Sequence, residues 1–387
     1  NLLNQPYEYK PYNGVEDFFR QGTVTTTSIN IRGGSDKVNF NANYGRTEDN
    51  GITRENKVTR NTLSLGGNAQ LSNKFTVSGV FNFTRTDYNS PPNIASGGSG
   101  AASASAGGSG VFIDVMYTPR SVDLTNIPFE AADGRSVYYR SGNDIQNPYW
   151  TLKHAKTTQQ TDRFNGNMNL IYDLNDWLNV SYRAGIDTYT ELNTYGQDKG
   201  GVAGDPTGIY RTTAVRNTIW NHDVIFSADK DLTEDLNLKV ILGANANRIV
   251  YSQDGLESTG QLAFGILKHY NFTTNSAVNS FSGLNIAFDS EANRLGVYMD
   301  ATLGYKDYAY LNVVGRNDWS STLETDNNSL FYPGASISFI PTAAFEDLSG
   351  NGFPGFSLNT SWNFSTGTVL GIDTNIIKGF SMYPNPV

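Results

Sequence analysis

The chain has 387 residues, no cysteine, 22 tyrosines and 21 phenylalanines, and a formal net charge of -9 at pH 7. The absence of cysteine excludes disulfides and thiolate metal sites, and the acidic balance argues against a nucleic-acid partner. No window of about 18 apolar residues occurs, which excludes helical membrane spans.

Stretches of about ten residues with alternating apolar and polar side chains recur along the chain. The clearest runs from Val38 to Gly45, with Val, Phe, Ala and Tyr on one side and three asparagines and a glycine on the other. The same alternation continues in five further stretches: Phe75–Thr84, Arg163–Tyr172, Leu178–Asp187, Leu236–Asn245 and Leu295–Leu303. Ile241 is an apolar exception on a polar side. Each stretch is long enough to cross a hydrocarbon layer as a tilted strand, which takes about 9 to 11 residues.

Short polar turns join these stretches in pairs. The turns lie at Arg32–Lys37, Leu71–Phe75, Leu174–Leu178, Leu232–Leu236 and Tyr305–Tyr308. The other connections are long: a flexible Gly/Ser-rich loop at Asn89–Gly110, an ordered excursion at Tyr117–Thr157, and two more at Thr190–Asn217 and Tyr251–Glu291. We therefore expect about eleven or twelve strands. Aromatic residues near the turns, namely Phe75, Trp177, Tyr305 and Tyr308, are expected to form an interfacial girdle.

Three features favour a transmembrane antiparallel β-barrel over a soluble β-sandwich or β-helix. The strands approach or exceed ten residues, whereas soluble strands average about five or six. The second face carries Asn, Ser, Thr and Arg, and the connections are short on one side and long on the other. A mean hydropathy of -0.41 also suits a barrel whose outer face alone meets lipid. The soluble all-β alternative remains open at this point.

A series of short stretches, in a specific order, extends over about residues 17 to 339. They are Asp17–Gly22, Ser28–Gly34, Tyr44–Gly45, Asn50–Gly51, Asn61–Leu65, Tyr117–Arg120, Asn147–Pro148, Val314–Ser321, Phe331–Pro333 and Ser336–Phe339. In this order they resemble the SusC/RagA-type TonB-dependent transporters of Bacteroidota.

The resemblance implies a 22-stranded outer-membrane barrel, closed by an N-terminal plug, that imports oligosaccharides or peptides. Its implied partners are a SusD-like surface lipoprotein, the TonB–ExbB–ExbD complex acting through the plug, and lipid with lipopolysaccharide. Residues 1–348 would be the first part of the barrel, without the plug. The N-terminus lacks a signal peptide, so we expect a mature or internal fragment. No cofactor is implied.

Residues 349–387 form an atypical tail that departs from the family. The alternation from Phe356 to Phe364 predicts one more strand, and Val369–Val387 is expected to be a linker. Tyr383–Pro386 resembles the start of the sorting domain carried by type IX secretion cargo. This motif supports a rival function, a secreted or cell-surface all-β adhesin. A secreted glycan-active enzyme would need a paired carboxylate site, which the sequence does not show.

Candidate binding residues cluster in the long excursion and on the polar strand faces. Aromatic rings stack on sugar or peptide faces, and arginine binds carboxylates in two-point geometry. The predicted substrate contacts are Arg120, Tyr139, Arg140, Tyr149 and Trp150. The alternative is that these residues pack the excursion onto the barrel rim. Arg163, Arg183 and Asp187 are predicted to face the lumen and to contact a plug or each other.

No catalytic or metal site is predicted. His154, His222 and His269 lie far apart in sequence and lack metal-ligand spacing, so each is expected in a loop or at an interface. Gly97–Gly100 is not followed by the lysine of a phosphate-binding loop, and no nucleophile turn of the Gly-x-Ser-x-Gly type occurs.

Overall fold

A single antiparallel sheet of twelve strands dominates the computed structural model, which describes residues 6, 9–91, 111–137, 146–201, 206–276 and 288–340. The strands are β1 (Thr23–Gly34), β2 (Val38–Asn50), β3 (Lys57–Ser72), β4 (Phe75–Ser90), β5 (Ala155–Asn175), β6 (Leu178–Gln197), β7 (Ile209–Thr233), β8 (Leu236–Gln261), β9 (Phe272–Ser276), β10 (Phe288–Tyr305), β11 (Ala309–Ser320) and β12 (Ser329–Phe339). The predicted all-β class and strand number are confirmed.

The strands pair in sequence order, except that β10 pairs with β8 and the short β9 pairs with the far end of β8. Within the described residues, β1 and β12 are the two edges of the sheet and do not pair with each other. The predicted tail, residues 349–387, and most of the Gly/Ser-rich loop lie outside the described residues.

The five predicted short turns are confirmed. Strands end and begin on either side of each one; for example, β3 ends at Ser72 and β4 begins at Phe75. All five turns lie on one side of the sheet, hereafter the turn side. The long connections lie on the opposite side, the loop side.

Two of the predicted long connections are wrong in extent. Most of Thr190–Asn217 belongs to β6 and β7, which leaves only residues 198–208 as a connection. Much of Tyr251–Glu291 likewise belongs to β8, β9 and β10. Strands β5 to β8 therefore have 20 to 26 residues. The apolar periodicity stops where both strand faces become polar, although the backbone pairing continues.

Three short α-helices of the described residues lie on the loop side: α1 (Gly14–Phe18), α2 (Val111–Tyr117) and α3 (Pro148–His154). Asn147 caps α3, because its side chain accepts a hydrogen bond from the Tyr149 N–H at 3.0 Å. Phe18, Val111, Val115 and Leu124 form the buried hydrophobic cluster of this layer. In the described part of the chain, no helix is long and apolar enough to cross a membrane.

The strands are staggered relative to their neighbours. Residues that face each other in the strand register form rows that cross the sheet. The row that starts at Asn39 lies one residue from the turn-side end of β2, and the same row reaches Asp318, nine residues from the turn-side end of β11. The row therefore climbs about one residue per strand. A rise of ~3.3 Å per residue over a strand spacing of ~4.8 Å corresponds to a strand tilt of about 35°. Transmembrane barrels have tilts of about 35–45°.

Candidate functional site

One face of the sheet, called the outward face, carries a continuous apolar belt. On each strand the belt consists of the outward side chains between the turn and the first polar residue on that face. On β4 the belt runs from Phe75 to Phe83, on β6 from Leu178 to Ile186, and on β8 from Leu236 to Ala246. Each run covers nine to eleven residues. At a tilt of about 35° this length corresponds to a height of roughly 24–30 Å, close to the ~25 Å apolar band of outer-membrane barrels.

The belt is exposed. Phe40, Leu65, Phe83, Phe226 and Val297 each leave 43–52 % of their surface accessible, and they lie on five different strands. A soluble protein rarely leaves an apolar surface of this extent uncovered, because contiguous exposed patches usually stay below a few hundred Å². The belt is therefore suited to contact with lipid.

Aromatic and charged side chains mark both edges of the belt. On the turn side, the rings of Tyr305 and Tyr308 lie 5.5 Å apart, and Lys230 Nζ lies 4.8 Å from the ring centre of Trp177. Farther toward the loop side, Arg248 on β8 forms an ion pair with Glu291 at 3.0 Å. Aromatic rings and long basic side chains are typical of the interface between lipid and water.

The opposite, inward face is lined by amides and hydroxyls that bond across strands. Asn82 donates to Asn165 at 3.0 Å, and Asn245 donates to Asp223 at 2.8 Å. Asn312 donates to Asp300 at 2.6 Å. These cross-strand bonds satisfy polar side chains that face water, while the same strands present apolar side chains on the other face.

Arg163, Arg183 and Asp187, which were predicted to face the lumen, all lie on this inward face. The Arg163 guanidinium forms a two-point ion pair with Asp187, with Nε 2.8 Å from Oδ1. Arg183 is exposed, stands opposite Asp223 in the strand register, and has no hydrogen bond or ion pair within the described residues. Their contact with a plug stays a prediction.

A second inward cluster, on β8, β10 and β11, was not singled out as a site from the sequence. The Tyr298 ring packs directly over Gly243, where a Cβ would clash with it. The Arg316 guanidinium lies 5.4 Å from the centre of this ring, and its Nε donates to both oxygens of Asp318 at 2.9 and 3.0 Å. Arg316 and Asp318 belong to a stretch that resembles the transporter family, but the sequence alone does not show their neighbour across the strand.

On the loop side, the predicted substrate residues have different environments. Arg120 is exposed, and its Nη2 donates to Asn13 at 3.1 Å. Tyr149 packs with its ring centre 5.0 Å from that of Phe18, and Trp150 is fully buried, with its indole N–H donating to the Gly134 carbonyl at 2.9 Å. Tyr139 and Arg140 lie outside the described residues. Tyr149 and Trp150 thus contribute to packing the excursion, and substrate contact by the set stays a prediction.

Three connections meet at a buried polar group, the Asp198 cluster, made of Glu130, His154, Asp198, Gln261 and Gly265. His154 Nδ1 lies 3.1 Å from Asp198 Oδ2, and His154 Nε2 lies 3.2 Å from Glu130 Oε1. Asp198 Oδ1 accepts from Gln261 Nε2 at 2.7 Å and from the Gly265 N–H at 3.0 Å. The cluster joins the excursion, the β6–β7 connection and the β8–β9 connection.

The carboxylates of this cluster are stabilised in their charged form. Burial raises the pKa of Asp198, but the hydrogen bonds from His154, Gln261 and Gly265 outweigh burial and leave the pKa below its ordinary value. The pKa of Glu130 is lowered chiefly by its hydrogen bond from Lys153, with a further contribution from His154. Both groups are therefore ionised near neutral pH.

The other two histidines lie elsewhere. His222 lies within β7, where its Nδ1 is 2.8 Å from the Tyr182 hydroxyl, and His269 bonds the hydroxyls of Thr212 and Ser258 at 2.8 and 2.7 Å. Burial lowers the pKa of His269. Among the residues that the structure describes, no three His, Cys, Asp or Glu side chains are grouped to hold a metal ion.

Comparison with known proteins identifies the fold. No known family profile matches the chain. The chain is 20 % identical over 338 residues to TonB-dependent receptor P3 of Formosa agariphila, covering 84 % of the chain and 31 % of that protein. Solved structures of the RagAB peptide transporter and of the RagAB peptide importer in its open-open state superpose with TM-scores of 0.65 and 0.66, at 18 % identity.

The sheet has the fold of a SusC/RagA-type TonB-dependent transporter barrel. The matches to the RagAB structures cover 85 % of the chain and 35 % of the matched chains. The chain thus spans about a third of the length of the relatives it matches, including the 31 % of the Formosa protein. The predicted resemblance is confirmed for this part of the barrel wall.

Proposed function

We propose that this chain forms part of the wall of a TonB-dependent importer in the bacterial outer membrane. The observation that carries the proposal is the apolar belt: on β4, β6 and β8, runs of nine to eleven residues have apolar outward side chains, and the strands are tilted by about 35°. In this arrangement the belt contacts lipid, and the amide-rich inward face contacts water or a plug. The loop side faces the cell exterior, and the turn side faces the periplasm.

The sheet edges require further strands. In the described residues, β1 and β12 each leave one row of backbone N–H and C=O groups unpaired. Each unpaired group in hydrocarbon costs several kcal/mol, so an open sheet is not stable in a membrane. The working importer therefore contains additional strands that close the wall.

The partners and cargo follow from the resemblance. We expect a SusD-like surface lipoprotein on the loop side and energy supplied by TonB–ExbB–ExbD through a plug. The cargo is an oligosaccharide or a peptide, the latter being the cargo named for RagAB. Arg120 is the most accessible described member of the predicted substrate set, and Arg183 is the lumen residue best placed to contact a plug.

The first test concerns the membrane. The natural full-length protein should be extracted from cell envelopes only with detergent, and its unheated form should migrate differently from its heated form on a gel. Recovery in the soluble or secreted fraction without detergent would instead support the rival adhesin, whose motif at Tyr383–Pro386 lies outside the described residues.

The second test concerns transport. Deletion of the gene should impair growth on one class of nutrient, either peptides or oligosaccharides, when that class is the sole source of carbon. Arg183→Glu should increase leakage of large antibiotics if the residue contacts a plug. Normal growth on every nutrient that the parent strain uses would argue against the importer.

A further inference from the structure

Arg294 differs from the other charged residues on the inward face of β10 and β11. Its side chain is exposed, and it makes no hydrogen bond or ion pair within the described residues. Its register partners are Asn247 on β8 and Ser320 on β11, so no carboxylate stands directly opposite it. A guanidinium has five N–H donors in a planar fork that matches a carboxylate. Within the described residues, all five N–H donors of the Arg294 guanidinium are therefore available to a ligand.

The Arg316–Asp318 pair packs beside Arg294. The next inward residue on β10 is Gly296, and a Cβ there would lie 2.5 Å from Asp318 Oδ1 and 2.6 Å from Arg316 Nη2. The ion pair therefore lies directly over this glycine, two residues along β10 from Arg294. Asp318 occupies Nε of Arg316 and contacts Nη2 at 2.8 Å, so the guanidinium is held in place while some of its N–H donors remain available.

The neighbouring carboxylates are already bonded. Asp318 pairs with Arg316, Asp223 accepts from the Asn245 side chain at 2.8 Å, and Asp300 accepts from Asn312 at 2.6 Å. Among the described inward charged residues of β10 and β11, Arg294 is therefore the one without a counter-charge or a hydrogen-bond partner. The Tyr298 ring lies on the same face of β10 and packs against the Arg316 guanidinium.

We propose that Arg294 and Arg316, separated by Gly296 and flanked by Tyr298, form a binding subsite for a carboxylate group of the transported solute. The proposal rests on the proposed import function and specifies the chemistry of its cargo. Arg294 supplies a guanidinium without a partner among the described residues, and Arg316 supplies a second one positioned by Asp318. The nearby Asn245 and Asn247 side chains use their N–H groups within the sheet and offer their amide oxygens to hydroxyl or peptide N–H groups. The carboxylate belongs either to an acidic sugar or to an acidic peptide.

The test measures binding of four probes to the natural full-length protein, purified in detergent, by titration calorimetry at low ionic strength. Tetragalacturonate is compared with its methyl ester, and a capped tetra-aspartate peptide is compared with capped tetra-asparagine. We expect one acidic probe to bind at least about tenfold more tightly than its neutral analogue, because hydrogen bonds between charged groups are roughly twice as strong as neutral ones. The preferred pair identifies the source of the carboxylate.

Arg294→Gln should abolish this preference and leave binding of the neutral analogue unchanged. Because no partner of Arg294 occurs among the described residues, the variant should fold normally, as checked by heat-modifiable migration. Arg32→Gln is the matched control, since Arg32 is also an exposed inward arginine but lies on β1 at the opposite edge. The control should keep the preference. The proposal is overturned if the parent protein shows no preference for an acidic probe, or if Arg294→Gln and Arg32→Gln lose that preference equally. A failure of the proposed import function is a separate result, because it would appear in the detergent-extraction test.

Discussion

Replacing Asp198 by alanine tests whether the three loop-side connections are held together by one carboxylate. The side chain is 7 % exposed, and its two oxygens bond His154, Gln261 and the Gly265 N–H. Asp198→Ala leaves the buried His154 imidazole and Gln261 amide, together with the Gly265 backbone N–H, without their acceptor. Since these groups come from three separate segments, the substitution should release the connections from one another and leave the sheet below them intact.

The expected magnitude follows from the geometry. A hydrogen bond to a charged group contributes about 1.5–3 kcal/mol, and Asp198 bonds two buried side chains, His154 and Gln261, so their loss costs about 3–6 kcal/mol. Each 1.4 kcal/mol corresponds to a factor of about ten in an equilibrium constant. Amide hydrogen exchange in residues 262–271 should therefore accelerate roughly 100- to 20,000-fold, because exchange there follows the local opening equilibrium. Amides in the belt region of β7 and β8 should keep their rates.

Two variants serve as controls. Asp198→Asn keeps an oxygen for Gln261 and Gly265 but loses the charge, so a smaller effect of about tenfold is expected. Asp133→Ala removes an exposed carboxylate of the same excursion that pairs with Arg135, and such surface pairs contribute little to stability. If Asp198→Ala and Asp133→Ala accelerate exchange equally, the Asp198 cluster does not hold the connections together.

Three further predictions concern the wall and the pH response. Leu242→Arg, in the lipid-facing belt, should destabilise the barrel in liposomes by about 2–4 kcal/mol, while Ile241→Arg, on the adjacent inward position, should have little effect. Gly243→Ala should cost about 1–3 kcal/mol by clashing with Tyr298, and Tyr298→Ala in the same protein should remove most of that cost in a double-mutant cycle of denaturant unfolding. Because the folded-state pKa of Asp198 is lowered, its stabilisation is complete above the unfolded pKa of about 3.9 and is lost as the pH falls through the lower folded value. Exchange of loop amides, corrected for intrinsic rates, should therefore rise only below about pH 4.

The sequence predicts the belt-level strands well because a single strand there faces two different solvents. Lipid on one side and water on the other impose a period of two, and a short turn interrupts it. The β3–β4 turn, predicted at Leu71–Phe75, lies between Ser72 and Phe75 in the structure. The same physical cause explains why the polar face could be recognised from its asparagines.

Beyond the belt, hydrophobic periodicity no longer predicts where the strands end. The segment Thr190–Gln197 continues β6, yet its side chains are mostly polar on both faces. Strand pairing continues there because the backbone groups need partners, whereas the apolar pattern is lost because lipid contacts neither face. A method based on hydrophobic periodicity therefore places the end of the strand at the edge of the belt.

The candidate sites were less predictable than the wall because they depend on contacts between distant residues. His154 and Asp198 are 44 residues apart in sequence, and neither lies in a recognisable motif. Arg294 was not singled out, because its distinctive property is the absence of a partner within the described residues, which requires knowledge of the strand register. Arg163 and Asp187, in contrast, were predicted on the same face, and they pair directly.

Two independent properties of the sheet, the length of its apolar belt and the tilt of its strands, together match the thickness of an outer membrane. The length of the apolar belt depends on side-chain chemistry, whereas the strand tilt depends only on backbone register. Nine to eleven residues on untilted strands would give a band of roughly 30–36 Å, thicker than the ~25 Å typical of outer-membrane barrels. The observed stagger of about one residue per strand reduces this height to roughly 24–30 Å. A soluble sheet could have the same stagger, but it would have no reason to expose a belt of matching height.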